Sequence, residues 1–373
     1  MRGHLRIRHV IILAASLILV AMVGINNAYA DDGETTPAPQ GVDNETCLDC
    51  HDVPGLQTEL PSGEPLYLSV DSVTYSVSTH GRLGYACVQC HTTYTGYPHE
   101  PISAQSRREF TLDLYTSCAR CHQDKYDATL DSVHQKSLAG GNLEAAVCTD
   151  CHGAHDTGPP DVPRSRIPQT CERCHSQIYN EYKGSVHGSA LIGEGNPDVP
   201  SCTDCHGVHD VEGPTSGSFH LFSPQICADC HADEERMDRY GVSTDVFDTY
   251  VADFHGTTVI LFEETAPDQE TNKPVCIDCH GVHDMLKVDD PESRVIKTNL
   301  LTTCQKCHPD ADENFPSAWL GHYKPSLENN PAVFYVNLFY KILIPGVIGG
   351  MVLFVASDSI RRFIERREGV GDE

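Results

Sequence analysis

The chain has 373 residues and carries 26 Lys and Arg against 53 Asp and Glu, a formal net charge of −27. Residues 1–30 contribute +3 and residues 331–373 balance five basic against five acidic side chains, so residues 31–330 carry −27 − 3 = −30. A surface of that sign excludes nucleic acid and anionic lipid as partners and suits solubility or a basic docking partner.

Arg2, Arg6 and Arg8 precede an apolar run from Val10 to Ile25, followed by Ala28-Tyr29-Ala30. This order predicts a secretory signal peptide over residues 1–30, cut before Asp31. An uncleaved anchor would equally place the rest of the chain outside the cytoplasm. Residues 31–46, opening Asp-Asp-Gly-Glu-Thr-Thr-Pro-Ala-Pro-Gln, are predicted to be a flexible polar leader.

From Cys47 onward one five-residue pattern, C-x-x-C-H, occurs nine times. Its members are Cys47, Cys50 and His51; Cys87, Cys90 and His91; Cys118, Cys121 and His122; Cys148, Cys151 and His152; Cys171, Cys174 and His175. They continue with Cys202, Cys205 and His206; Cys227, Cys230 and His231; Cys276, Cys279 and His280; and Cys304, Cys307 and His308. The nine pairs use all 18 cysteines, leaving none for a disulfide or a nucleophile. A zinc half-site or a redox dithiol needs C-x-x-C but not the histidine that always follows. The full pattern is the attachment signature of c-type haem, with two thiols bonded to the porphyrin vinyls and the histidine under the iron. Nine covalent haems are expected, which also requires an exported chain.

About 300 residues for nine haems is roughly 33 residues each, too few to wrap every haem in side chains. The expected fold is therefore mainly α and coil with little sheet. Short helices such as Glu109–Tyr115 and Glu234–Tyr240 would surround an interior made of porphyrin, over residues 47–325.

After the lone motif at Cys47 the motifs form four pairs, with first cysteines 31, 23, 25 and 28 residues apart. An isolated histidine precedes each pair: His80, His134, His187 and His255. Another follows the first motif of each pair: His99, His155, His209 and His283, the first displaced by an insertion over Thr92–Pro98. This is a four-fold repeat of a two-haem module. His322, in Trp319-Leu320-Gly321-His322, occupies the slot after the last pair. Of the 21 histidines, nine lie in motifs and His4 and His9 leave with the signal peptide, so ten remain. Nine of these are nominated as second axial ligands, and His220 is left over. Met237 and Met285 do not recur in the repeat and compete poorly. His155 lies only three residues from His152, so it should reach a different iron, and the same holds for His209 and His283.

Residues 332–357 are apolar enough for one membrane crossing. Phe334, Tyr335, Phe339 and Tyr340 resemble an interfacial belt, with Lys341 able to snorkel to the same level. Arg361, Arg362, Arg366 and Arg367 follow, so residues 358–373 are predicted to be a cytoplasmic tail and the haem domain extracytoplasmic. Gly346 and Gly350 form a step suited to helix packing.

Over residues 47–322 the doubled C-x-x-C-H modules resemble the multihaem c-type cytochromes of the cytochrome c3/c554-like superfamily. The resemblance implies closely packed haems and electron transfer along them. A carboxy-terminal anchor resembles the cytochrome subunits of quinone-linked complexes, which implies a membrane cytochrome b or quinol-oxidising partner and further redox proteins outside. Electron carriage rather than catalysis is the expected activity, in a periplasmic or outer-surface setting such as anaerobic respiration. The alternative is a multihaem reductase of nitrite, hydroxylamine or tetrathionate type, which needs one open or lysine-ligated haem. No C-x-x-C-K variant is present. A third reading, a subunit of an extracellular filament, fits poorly with the anchor.

Overall fold

The computed structural model describes residues 42–213, 217–267, 269, 272–318 and 321–368. The expected signal peptide, residues 31–41 of the leader, Trp319, Leu320 and residues 369–373 of the tail lie outside the described residues. The described chain is mainly helical. Its one sheet among these residues is a hairpin, β1 (Gln57–Glu59) against β2 (Pro65–Tyr67), paired antiparallel with Gln57 opposite Tyr67. The leader ends earlier than expected, because Asp43 accepts from the Thr46 N–H at 2.8 Å and starts a helix over Asn44–His51.

The helices are short because each is tied to a motif or to a histidine. Four motifs fold as free-standing turns: Cys87–Cys90, Cys148–His152, Cys202–His206 and Cys276–His280. In each, the third residue reaches back to the N–H before the first cysteine. Gln89 accepts from Ala86 at 2.6 Å, Asp150 from Val147 at 2.7 Å, Asp204 from Ser201 at 2.6 Å and Asp278 from Val275 at 2.7 Å. This satisfies a donor that the first turn of a helix otherwise leaves unpaired. The other five motifs lie in or at the end of a helix that begins upstream. These helices are Asn44–His51, the 3-10 turn Tyr115–Arg120, Arg166–Glu172, Gly217–His231 and Leu300–Gln305. The two kinds alternate along the chain. The helices expected near Glu109 and Glu234 form as Arg107–Leu114 and Glu234–Met237, each running on into a 3-10 turn.

The side-chain core is small. Leu221, Tyr250, Val259 and Val275 form its one cluster among the described residues, joined by the edges of Val251, Phe262 and Ile277. Elsewhere the buried apolar residues are scattered singly, as Val88, Tyr115 and Leu191 are. That is far less apolar burial than a domain of roughly 280 residues needs from its side chains. What the modules share is their cysteines and histidines, and every cysteine is half-buried or exposed.

The last element is a helix over Pro331–Glu368, of which Pro331–Arg366 is long and apolar enough to cross a membrane and is wholly unburied. At 1.5 Å per residue its 38 residues span about 57 Å against roughly 30 Å of hydrocarbon, so helix continues beyond the expected span end at residue 357. There Asp358 pairs with Arg361 and Arg362, each at 2.7 Å. Before the helix, Lys324 contacts Asp245 at 2.5 Å and Asp248 at 3.6 Å, tying the connecting segment to the last module.

Candidate haem sites

Each motif histidine faces one other histidine, and each of those is a nominated residue. The ring centroids lie 6.0 Å apart for His51–His99, 5.9 Å for His91–His155, 6.2 Å for His122–His80 and 6.1 Å for His152–His209. They lie 6.2 Å apart for His175–His134, 6.1 Å for His206–His283 and 6.2 Å for His231–His187. The last two pairs, His280–His322 and His308–His255, are both at 6.3 Å. His155, His209 and His283 do reach past their own motif, each to the first motif of the preceding module. His80, His134, His187 and His255 serve the second motif of their own module.

A separation near 6 Å, repeated at all nine motifs, is the spacing that two imidazoles on one metal would require. With metal–nitrogen bonds of about 2.0 Å and a ring centre roughly 1.1 Å from its nitrogen, the centroids fall about 6.2 Å apart. Among the described residues no group of three or more His, Cys, Asp or Glu gathers in the manner of a metal site. Two facing histidines beside each C-x-x-C pair would suit a haem iron, which carries its remaining ligands with it. The tautomers agree. His51 Nδ1 donates to the Leu68 carbonyl at 2.7 Å and His206 Nδ1 donates to that of Glu212 at 3.0 Å. His80 Nδ1 bonds the Thr157 hydroxyl at 3.1 Å. A carbonyl only accepts, so Nδ1 holds the proton and Nε2 keeps the lone pair a metal needs. Burial also lowers the pKa of most of these imidazoles, to about 4 for His187 and His280, which keeps them neutral.

The attachment thiols lie in single file. Cys87 is within hydrogen-bonding reach of Cys47, Cys118 of Cys148, Cys171 of Cys202 and Cys227 of Cys276. Between these contacts the second cysteine of one motif lies within electrostatic reach of the next motif: Cys90 of Cys118 and Cys121, Cys151 of Cys171 and Cys174, Cys205 of Cys227 and Cys230, and Cys279 of Cys304 and Cys307. Burial first pushes the unattached thiols of Cys87, Cys205 and Cys279 up to about 11, followed by Cys47 for Cys87, Cys227 for Cys205 and the Asp278 carboxylate for Cys279. The nine motifs thus follow one another in space in their sequence order, with two junction types alternating.

Some residues that hold the sites have no place in the motif pattern. Tyr75, Tyr182 and Tyr250 each stand five residues before a histidine of the His-Gly type: His80, His187 and His255. Their hydroxyls donate to the carbonyl two residues before the next motif: Tyr85 at 2.7 Å, Pro200 at 2.6 Å and Pro274 at 3.0 Å. The recurring Tyr-x4-His-Gly spacing was the available signal. The motif aspartates carry a second partner, Arg108 to Asp150 at 2.9 Å and Arg164 to Asp204 at 2.5 Å. In the last module the surplus His220 takes that place, with Nε2 3.0 Å from Asp278. His220 therefore faces no motif histidine, and the wider 24-residue gap from His231 to His255 is spanned by local helices without displacing His255.

Residues 79–176, which contain the motifs at Cys87, Cys118, Cys148 and Cys171, match the family model described as cytochrome c3. The chain thus contains a cytochrome c3-like haem domain, and it ends in one helix suited to membrane anchoring. A cytochrome c-type protein, NrfB, of Escherichia coli O6:H1 (strain CFT073) is 24% identical over 180 residues, covering 44% of this chain and 90% of that protein.

Proposed function

We propose that this chain is an exported, membrane-anchored cytochrome with nine haem c groups, which carries electrons in single file. Its ends would serve a quinol-oxidising or cytochrome b subunit at the membrane and redox partners outside the cytoplasm. The observation that carries this reading is the set of nine histidine pairs at 5.9–6.3 Å, one for every C-x-x-C-H motif. Haem c supplies an iron couple that changes by one electron.

The protein's own residues do the rest. Two cysteines of each motif would hold the group covalently, and the paired histidines would be its two protein ligands. No iron is then left with a place for a substrate, which argues for carriage over catalysis. Histidine in place of methionine as second ligand favours low potential. The contacts at Leu68, Thr157 and Glu212 fix ring orientation from behind. No histidine occurs after His322 in the sequence, so the anchor offers no histidine pair for a b-type haem, and electrons would come from a partner.

Intact-mass measurement of the mature protein should show nine haem additions. The reduced protein should not bind carbon monoxide. His209→Ala should open one iron to carbon monoxide, whereas His220→Ala should open none. Fewer than nine additions would break the count. A native high-spin iron would shift the reading to a reductase with an open haem.

A further inference from the structure

In chain order of the motifs, the angles between paired imidazole planes are 43°, 24°, 50°, 23°, 40°, 28°, 53°, 21° and 48°. They alternate without exception between a tilted class of 40–53° and a near-parallel class of 21–28°. Five pairs are tilted, four are near-parallel, and both ends of the file are tilted.

The alternation follows the backbone that carries each ring. In the near-parallel class the motif is a free-standing turn and the facing histidine comes just after a left-handed glycine. Gly153 (φ +75°) precedes His155, Gly207 (φ +80°) precedes His209, Gly281 (φ +91°) precedes His283 and Gly321 (φ +68°) precedes His322. In four tilted pairs the facing histidine instead lies second in an N-capped helical turn. The caps are Ser78, Ser132, Ser185 and Asp253, each accepting from a backbone N–H of that turn at 3.0–3.2 Å. The fifth tilted pair is informative. His99 belongs with the glycine-turn histidines by its place after a first motif, but the insertion has removed the turn, and Gly96 is not left-handed. Its pair with His51 is tilted.

Ring orientation has an electronic consequence. Two parallel imidazoles donate π density into the same iron d orbital and split the pair of π orbitals widely. Tilting spreads the donation over both orbitals, narrows the splitting and raises the magnetic anisotropy of the ferric ion. Resting on the bis-histidine reading above, we propose that the nine irons form two alternating electronic classes. The left-handed glycines Gly153, Gly207, Gly281 and Gly321 are the positioning residues of the near-parallel class.

Electron paramagnetic resonance of the fully oxidised full-length protein at helium temperature tests this. Two low-spin families are expected, a rhombic one holding four of nine spins and a more anisotropic one holding five. In Gly207→Ala a Cβ would meet Asp210 Oδ1 at 2.8 Å in a backbone conformation that alanine resists. The rhombic share should fall from four to three of nine, with nine haems still counted by mass. Gly184→Ala, where an added Cβ meets nothing within 4 Å, should leave four and five. A single family in the parent protein overturns the two classes, and an unchanged Gly207→Ala spectrum overturns the role of the glycines. Should Gly207→Ala fail to mature, the parent ratio alone decides. A high-spin signal or a missing haem would instead overturn the underlying ligation.

Discussion

Tyr182 shows how much of each site rests on residues outside the motif. It is almost fully buried, and its hydroxyl donates at 2.6 Å to the Pro200 carbonyl, two residues before Cys202. Tyr182→Phe keeps the ring but leaves that carbonyl without its partner, which costs roughly 1–3 kcal/mol. Chemical denaturation of the variant should show a loss of that size with the haem content of the parent retained. Asp204 works beside it. Burial opposes its ionisation, but the Arg164 and Ser201 hydrogen bonds outweigh burial and hold the carboxyl below its usual 3.8. A carboxyl depressed in the folded state stabilises above its unfolded pKa and loses that stabilisation as pH falls through the folded value. Asp204→Asn should therefore lower stability at neutral pH and flatten its decline below about pH 4 in a pH-dependent denaturation series.

At the scale of elements, the unit is a helical start that presents a ligand. Ser185 caps the turn Val186–Gly188 by accepting from the Gly188 N–H at 3.1 Å, and His187 is the residue between. The turn packs so closely on the preceding helix, Ser176–Gly184, that a Cβ on Gly188 would sit 1.8 Å from the Tyr182 carbonyl oxygen. Backbone cannot yield as a flexible side chain can, so Gly188→Ala should displace the turn and with it His187. We expect one iron in nine to become open, seen as carbon monoxide binding by the reduced variant. Ser185→Ala is milder. It should cost about 1 kcal/mol and open none.

For the whole molecule, an acidic cysteine- and histidine-lined body is joined to an apolar helix. Truncation after Asn330 should give a soluble protein with the haem content of the full chain, because the described part of the helix has no buried face against the body. Protease added outside spheroplasts should release the haem domain and spare a tag after Glu373, as the arginines following the apolar segment imply. Loss of that tag would reverse the orientation. The −30 charge of residues 31–330 bears on association. Electron exchange with a basic soluble partner should slow as ionic strength rises, since screening shortens the reach of that field.

Which parts of this were legible in the sequence follows from how local each determinant is. The attachment pattern, the two-motif repeat and the apolar span are set by neighbouring residues, so reading the chain was enough to nominate all eighteen histidines of the nine pairs. The preference for short helices was equally local, a consequence of nine motifs crowding into about 300 residues. Which histidine faces which depended on tertiary structure, because His91 and His155 are 64 residues apart and only the packing of successive modules brings them to 5.9 Å. The role of His220 was hidden for the same reason, its partner Asp278 lying 58 residues away. The alternation of ring planes was hidden too. A ring's tilt is the sum of two backbone mounts that meet across a module boundary, and no stretch of sequence contains both.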